Sequence, residues 1–331
     1  MTSEDPAYVV QPPPFDAELA APLRTILSGL PMPLTPELIP DRRRRTLAGR
    51  LSDDEMRRGG VFDIEERVVP GPPGAPDLLM VICRPTAGQG PHPVIYHVHG
   101  GGLVAGDTRT REMAGDLDRA QELGLAVVGV EYRLAPEHPD PAPVEDCYAG
   151  LVWLAAHAAE LGLDAGRVVV SGNSAGGGLA AGVALLARDR GRPRLQGQML
   201  QCPMLDDRCD TPSAAQMRHV GLWDGASNLA GWTALLGDRR GTHDVSYYAA
   251  PGRAHDLAGL PPAFIDVGSV EALRDEAVTY ATRIWQAGGE AELHVWSGAF
   301  HSFDEWVPDA VVSRAARANR VAWLRRLLAP R

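Results

Sequence analysis

Short apolar runs and longer amphipathic stretches alternate along most of the chain. The short runs are rich in β-branched residues and are typical of buried strands. They are Leu78–Cys83, Val94–Val98, Leu125–Val130, Val168–Val170, Gln198–Gln201 with its neighbours, Ala263–Val267 and Glu292–Trp296. Apolar residues at helical spacing predict helices over Arg111–Leu123, Val144–Leu161, Ala175–Arg190, Leu273–Ala287 and Ala310–Leu328. This alternation predicts an α/β fold, with a mostly parallel central sheet and helices on both faces.

Two segments break the alternation. Residues 1–60 are rich in proline, and we predict that they form cap helices lying over the core. Residues 206–246 contain two tryptophans and one helical stretch, Ala226–Leu236, and we predict a second cap segment inserted into the core. The core itself is expected in residues 61–205 and 247–331.

The charge pattern excludes several classes of partner. The chain of 331 residues has a formal net charge of −10, which argues against nucleic acid or an anionic membrane surface. Arg42–Arg45 form a basic run, but acidic residues bracket it, so we predict a solvated helix face. The chain contains no lysine, which rules out lysine-based covalent catalysis.

No segment of the sequence looks like an anchor or a metal site. No apolar run approaches the length of a membrane span, and the acidic, proline-rich start lacks the regions of a signal peptide. The four cysteines form no C-x-x-C pair and have no histidine at metal spacing. We therefore expect a cytoplasmic protein with no membrane partner, no metal and no cofactor. The sequence leaves a homodimer open.

The chemistry of the chain centres on Val168–Gly178. A short strand, the sequence Gly172–Asn173–Ser174–Ala175–Gly176 and a helical pattern follow one another, as a G-x-S-x-G nucleophile elbow requires. A turn this tight strains the serine backbone, and flanking side chains would collide, so glycine is needed at both flanks. The pattern predicts that Ser174 is exposed at the edge of the sheet as a nucleophile.

A glycine-rich loop precedes this turn. His99 to Gly102 follow the Val94–Val98 strand directly, and consecutive glycines let several backbone amides point into one small volume. Such amides stabilise a developing oxyanion. We expect the donors to be the amides of Gly101, Gly102 and Ala175.

A general base must come from a histidine downstream of Ser174. Of the five candidates, only His301 lies between the last strand and the final helix, where the chain returns to the upper edge of the sheet. The acid that orients it is expected in the loop after Ala263–Val267. We assign Glu271, and Asp275 in the next helical turn is the alternative.

These motifs together resemble the hormone-sensitive-lipase-like family of α/β-hydrolase esterases. The matching segments are HGGG at His99–Gly102, VEYRLAPEHP at Val130–Pro139, SGNSAGGG at Ser171–Gly178 and LRDE before His301. The resemblance implies an α/β-hydrolase fold with a helical cap, and a serine carboxylesterase that hydrolyses small or short-chain acyl esters. The family's usual spacing between acid and histidine also matches Glu271 and His301.

Three positions depart from the family pattern. Glu271 stands where the family usually has aspartate, Asn173 replaces the common aspartate before the serine, and Ser302 stands where the family has glycine. We expect Asn173 to alter the packing of the elbow and not its chemistry.

The predicted mechanism is acyl transfer through an acyl-enzyme on Ser174, with His301 as base and Glu271 as its orienting acid. An amidase, a lactonase or a deacetylase would use the same residues, and a ligand-binding relative without activity is a further alternative. Apolar residues of the inserted segment, Met217, Leu222 and Trp223, are predicted to border the acyl pocket.

Overall fold

The computed structural model describes residues 11–329. Eight strands form one sheet: β1 (Phe62–Val69), β2 (Leu78–Pro85), β3 (His92–Val98), β4 (Ala126–Glu131), β5 (Leu163–Asn173), β6 (Gly197–Gln201), β7 (Ala263–Gly268) and β8 (Ala291–Trp296). Their order across the sheet is β1-β2-β4-β3-β5-β6-β7-β8. The pairs β1–β2 and β2–β4 are antiparallel, and all other pairs of the sheet are parallel. The predicted mostly parallel sheet is confirmed.

The described residues contain eleven α-helices. They are α1 (Ala17–Ser28), α2 (Ile39–Ala48), α3 (Asp53–Arg57), α4 (Arg111–Leu123), α5 (Ala142–His157), α6 (Ala175–Asp189), α7 (Pro212–Gln216), α8 (Gly225–Leu236), α9 (Arg274–Gln286), α10 (Phe303–Trp306) and α11 (Val311–Leu327). Four short 3-10 helices occupy Pro36–Leu38, Arg58–Gly60, Gly237–Arg239 and Pro251–Arg253. No helix among these residues is long and apolar enough to cross a membrane.

Alternate residues of the central strands point to opposite faces of the sheet and enter two separate apolar cores. Tyr96 and Val170 pack into the larger core, which contains residues of α5, α6 and α9. Ile95 and Val169 pack into the other, with residues of α4 and α11. Both faces are therefore covered, which leaves only the edges of the sheet for a binding site.

The N-terminal segment and the inserted segment meet over the carboxyl edge of the sheet. The backbone amide of Leu34, just before α2, donates a 2.9 Å hydrogen bond to the Oγ of Ser227 in α8, and the bond is buried. Residues from both segments line the cavity described below. The boundaries at residues 60, 205 and 246 remain predictions.

Candidate active site

Ser174 occupies the strained turn between β5 and α6. Its backbone has φ 57° and ψ −121°, a conformation that costs an ordinary residue about 1–3 kcal/mol. The flanking glycines are sterically required. A Cβ at Gly172 would collide with the carbonyl of Gly176, and one at Gly176 would collide with the carbonyl of Val98. Glycine at both flanks thus lets the chain turn sharply enough to hold Ser174 at the end of β5.

His301 and Glu271 lie beside this serine in the order that the sequence predicts. The Nε2 of His301 lies 2.9 Å from the Oγ of Ser174, and its Nδ1 lies 3.3 Å from the Oε1 of Glu271. The other oxygen of Glu271 accepts a 3.1 Å hydrogen bond from the amide of Gly268 at the end of β7. All three side chains are buried. The structure therefore brings the predicted nucleophile, base and acid into one hydrogen-bonded row.

Asp275, the alternative acid, is bonded to residues other than His301. Its Oδ2 accepts a 2.7 Å hydrogen bond from the amide of Ser213 in α7, and its Oδ1 pairs with Arg274 at 2.8 Å. These contacts join α9 to the inserted segment and leave no bond from Asp275 to His301 among the described residues. The geometry favours Glu271 over Asp275.

The glycine-rich loop lies against the same turn. Gly101 and Gly102 have φ of 112° and 66°, and a Cβ at Gly102 would collide with the indole of Trp223. Within residues 11–329, no acceptor is bonded to the backbone amides of Gly101, Gly102 or Ala175. Three amides without partners at one turn are what an oxyanion site needs.

Two of the positions that depart from the family pattern are bonded to each other. The Oγ of Ser302 donates a 3.0 Å hydrogen bond to the Oδ1 of Asn173, and the Nδ2 of Asn173 donates a 2.9 Å bond to the Oε1 of Glu305. Ser302 has φ 56°, in the left-handed region that favours glycine. Burial and the nearby Glu112 carboxylate raise the pKa of Glu305 well above its ordinary value. Sequence reasoning missed Glu305, because these residues are about 130 positions apart.

A cavity of about 280 Å³ opens onto Ser174 and His301. Leu222 and Trp223 line it, whereas Met217 does not, and the place of Leu222 and Trp223 at an acyl pocket stays a prediction. Met217 is fully buried with Val270 and Ala272, so its predicted place at the pocket has to be corrected. It is a buried apolar residue of the inserted segment that lies close in sequence to Leu222 but does not line the cavity.

The four arginines of α2 differ from the predicted solvated face. Arg44 and Arg45 are exposed and pair with Asp41. Arg43 faces inward, bonds the carbonyls of Val104 and Ala135 and forms a bidentate pair with Glu137. Arg42 lines the cavity with its guanidinium 5.3 Å from the centre of the Trp223 ring. The prediction is thus wrong for the first two arginines, which tie α2 to the core and to the site.

One group of side chains could in principle bind a metal ion. Ligand atoms of Cys202, Glu271 and His301 lie within 4.8 Å of one another. Burial, reinforced by the charge of Glu271, raises the pKa of the Cys202 thiol well above its ordinary value, which disfavours the thiolate that a metal needs. The other two side chains are already bonded in the row that reaches Ser174. The donor set therefore fits a metal poorly.

Comparison with known proteins adds a family and an activity. A family model described as the alpha/beta hydrolase fold matches residues 95–305. The chain is 36% identical over 243 residues to Esterase LipI of Mycobacterium tuberculosis, covering 72% of this chain and 74% of that protein. It is 35% identical over 269 residues to Carboxylesterase NlhH of the same species, covering 80% and 83%. The solved structure of a bacterial heroin esterase is similar with a TM-score of 0.86 and 40% identity, covering 96% of this chain and 98% of that one.

Proposed function

The chain belongs to the hormone-sensitive-lipase-like family of α/β-hydrolase carboxylesterases and is a carboxylic ester hydrolase, and from this premise we propose that it hydrolyses small or short-chain acyl esters through Ser174, His301 and Glu271. The observation that carries the proposal is the hydrogen-bonded row from Glu271 through His301 to the Oγ of Ser174. The small volume of the cavity, which Leu222 and Trp223 line, supports a short acyl chain.

In the proposed mechanism, His301 takes the proton of the Ser174 hydroxyl as its Oγ attacks the ester carbonyl carbon. Glu271 accepts a hydrogen bond from the Nδ1–H of His301, which fixes the tautomer that leaves Nε2 free as a base. The oxyanion that forms would be held by the amides of Gly101, Gly102 and Ala175. His301 then gives its proton to the leaving alcohol, and the ester carbonyl becomes the acyl group on Ser174.

The second half of the cycle repeats these steps with water. His301 removes a proton from a water molecule that attacks the acyl carbon, and the proton then returns to Ser174 as the acid leaves. The strained turn at Ser174 supports this cycle, because it keeps the Oγ at one position for both attacks.

The test is hydrolysis of p-nitrophenyl esters from acetate to laurate by the wild type and by Ser174→Ala. We expect kcat/KM to be highest for the short acyl chains and to fall to the background rate in the variant. A preference for laurate would overturn the short-chain part of the proposal. Full activity in Ser174→Ala would overturn the mechanism. Matched p-nitroanilides in the same assay would reveal an amidase, which is the alternative on the same residues.

A further inference from the structure

Two guanidinium groups in the active-site cavity have no acceptor. Arg42, from α2, and Arg111, at the start of α4, both line the cavity that contains Ser174. No side-chain nitrogen of either residue is hydrogen-bonded or ion-paired to another group in the part of the chain that the structure describes. Each guanidinium instead stacks on an indole, Arg42 at 5.3 Å from the Trp223 ring and Arg111 at 5.2 Å from Trp306.

The neighbouring arginines of α2 have bonded acceptors. The lack of an acceptor is therefore specific to Arg42 and is not general to this helix. Arg43 bonds Glu137, and Arg44 and Arg45 both bond Asp41, so three of the four guanidiniums of α2 have an acidic partner. Arg42 and Arg45 both line the cavity, but Arg45 is ion-paired to Asp41 whereas Arg42 has no such partner, and burial lowers the pKa of Arg42. Arg42 is half-buried, and a partly desolvated guanidinium with no bonded acceptor is stabilised when an anion reaches it.

The acidic groups of the cavity do not neutralise these two arginines. Glu112 is hydrogen-bonded to Thr110, and Glu305 to Asn173. Burial and the charge of Glu112 raise the pKa of Glu305, so this carboxyl takes up negative charge less readily than an ordinary glutamate. Among the described residues neither glutamate is ion-paired to Arg42 or Arg111, so both guanidiniums keep free donors for an anionic group.

We propose that Arg42, assisted by Arg111, binds a carboxylate carried by the substrate, so that this enzyme prefers esters with a free carboxylate in the acyl or the alcohol half. An arginine stacked on an indole keeps its N–H edges free, and those edges match the two oxygens of a carboxylate. This inference rests on the proposed function, because it assigns a substrate class to the same cavity. The net charge of −10 gives an anion no long-range attraction, so the preference would arise inside the cavity.

The test compares matched esters that differ by one charge. In the first pair, mono-p-nitrophenyl glutarate is compared with p-nitrophenyl valerate, which places the carboxylate in the acyl half. In the second pair, 4-acetoxybenzoate is compared with its methyl ester, which places the carboxylate in the leaving group. We expect kcat/KM for the anionic member to exceed that for the neutral member by about tenfold or more in one pair, as a charge-assisted hydrogen bond allows. The pair that shows the preference identifies the half of the substrate that contacts Arg42.

Variants of α2 separate this effect from general changes in charge. Arg42→Gln should lower the ratio of anionic to neutral kcat/KM about ten- to a hundredfold, and Arg42→Lys should retain part of it. Arg44→Gln is the matched control, because it removes one positive charge from the same helix at an exposed position outside the cavity, and it should leave the ratio unchanged. A wild-type ratio at or below one in both pairs would overturn the inference, as would an unchanged ratio in Arg42→Gln.

A binding measurement keeps this inference separate from the proposed function. Benzoate, but not the neutral benzamide, should raise the melting temperature of the wild type, and Arg42→Gln should lose this shift. If neutral esters are not hydrolysed but benzoate still binds through Arg42, the proposed function fails and the carboxylate site stands. If neutral esters are hydrolysed and benzoate does not stabilise the protein, the carboxylate site fails and the esterase stands.

Discussion

The hydroxyl of Ser302 lies 3.0 Å from the side-chain oxygen of Asn173, and this hydrogen bond joins two departures from the family pattern. Asn173 precedes the nucleophile and Ser302 follows the histidine, so the bond connects the two sides of the site. The side-chain Nδ2 of Asn173 donates a further hydrogen bond to Glu305. An aspartate at position 173 could accept from Ser302 but could not donate to Glu305, which explains why an asparagine suits this environment.

We predict that Asn173→Asp destabilises the protein in a pH-dependent way. The new carboxylate would share one proton with Glu305 in the folded state, whereas both groups ionise separately in the unfolded state. Folding must then take up a proton, so stability should fall as pH rises from 5 to 8. Thermal unfolding at both pH values measures this, and Glu305→Gln in the same background should remove the pH dependence. Equal melting temperatures of Asn173→Asp and wild type at pH 8 would contradict the prediction.

The single variant Glu305→Gln should be more stable than the wild type at pH 8. Because the pKa of Glu305 is raised in the folded state, the unfolded state releases its proton first as pH rises above about 4.5, and this favours unfolding. Glutamine keeps the acceptor for Asn173 and has no proton to lose. The difference in melting temperature between variant and wild type should be small near pH 4.5 and grow with pH. A difference that shrinks with pH would indicate that Glu305 is ionised in the fold.

Glu271→Gln and Asp275→Asn distinguish the two acids. Loss of the carboxylate that orients His301 should lower kcat about a thousand- to ten-thousandfold, as in other enzymes with this arrangement. Asp275→Asn should change kcat by only a few fold, because its carboxylate bonds Ser213 and Arg274. The assay is turnover of p-nitrophenyl acetate. A larger loss in Asp275→Asn than in Glu271→Gln would reverse the assignment.

Gly102→Ala should abolish most activity, whereas Gly124→Ala should not. Both glycines have φ near 67°, so both substitutions strain the backbone by about 1 kcal/mol. A Cβ at Gly102 would also collide with Trp223, whereas at Gly124 it would meet no atom within 4 Å. Melting temperature and kcat/KM measured together separate the two effects. Similar kcat/KM in both variants would argue that the loop at Gly102 has no part in catalysis.

Trp223→Ala should shift the preference of the enzyme toward longer acyl chains, because Trp223 lines the cavity and packs against Gly102. Met217→Ala is the matched control from the same segment. It should cost ~2–5 kcal/mol of stability because its side chain is fully buried, and it should leave the chain-length profile unchanged. The profile from acetate to laurate is the measurement. An unchanged profile in Trp223→Ala would remove Trp223 from the acyl pocket.

Most of the sheet and its flanking helices were predictable, because buried parallel strands are apolar along their whole length. The run Val94–Val98 became the end of β3, and Arg111–Leu123 became α4 without change. The strand Phe62–Val69 was not predicted. It is an antiparallel edge strand whose interior is mostly charged, with Glu65, Glu66 and Arg67 in succession, and only its two end residues are buried.

The site was predictable only where its chemistry is encoded locally. Ser174 and its glycines were evident because the turn dictates both neighbours. Glu305 and Arg42 were not, since their contacts with Asn173 and Trp223 join segments more than a hundred residues apart. The run Arg42–Arg45 indicates a charged helix. Only the packing of α2 against the rest of the protein determines which of these arginines faces solvent and which faces the cavity.

The hydrogen bond from Leu34 to Ser227 has a consequence for any attempt to transplant specificity between relatives. Residues 206–246 and the N-terminal segment each contribute part of the cavity wall, and these two segments are bonded to each other although they lie far apart in the sequence. Replacing residues 206–246 alone would pack a segment from a relative against the native N-terminal segment and would leave the backbone amide of Leu34 without its matched acceptor. A functional chimaera would have to exchange both segments together, because the two segments determine substrate choice jointly.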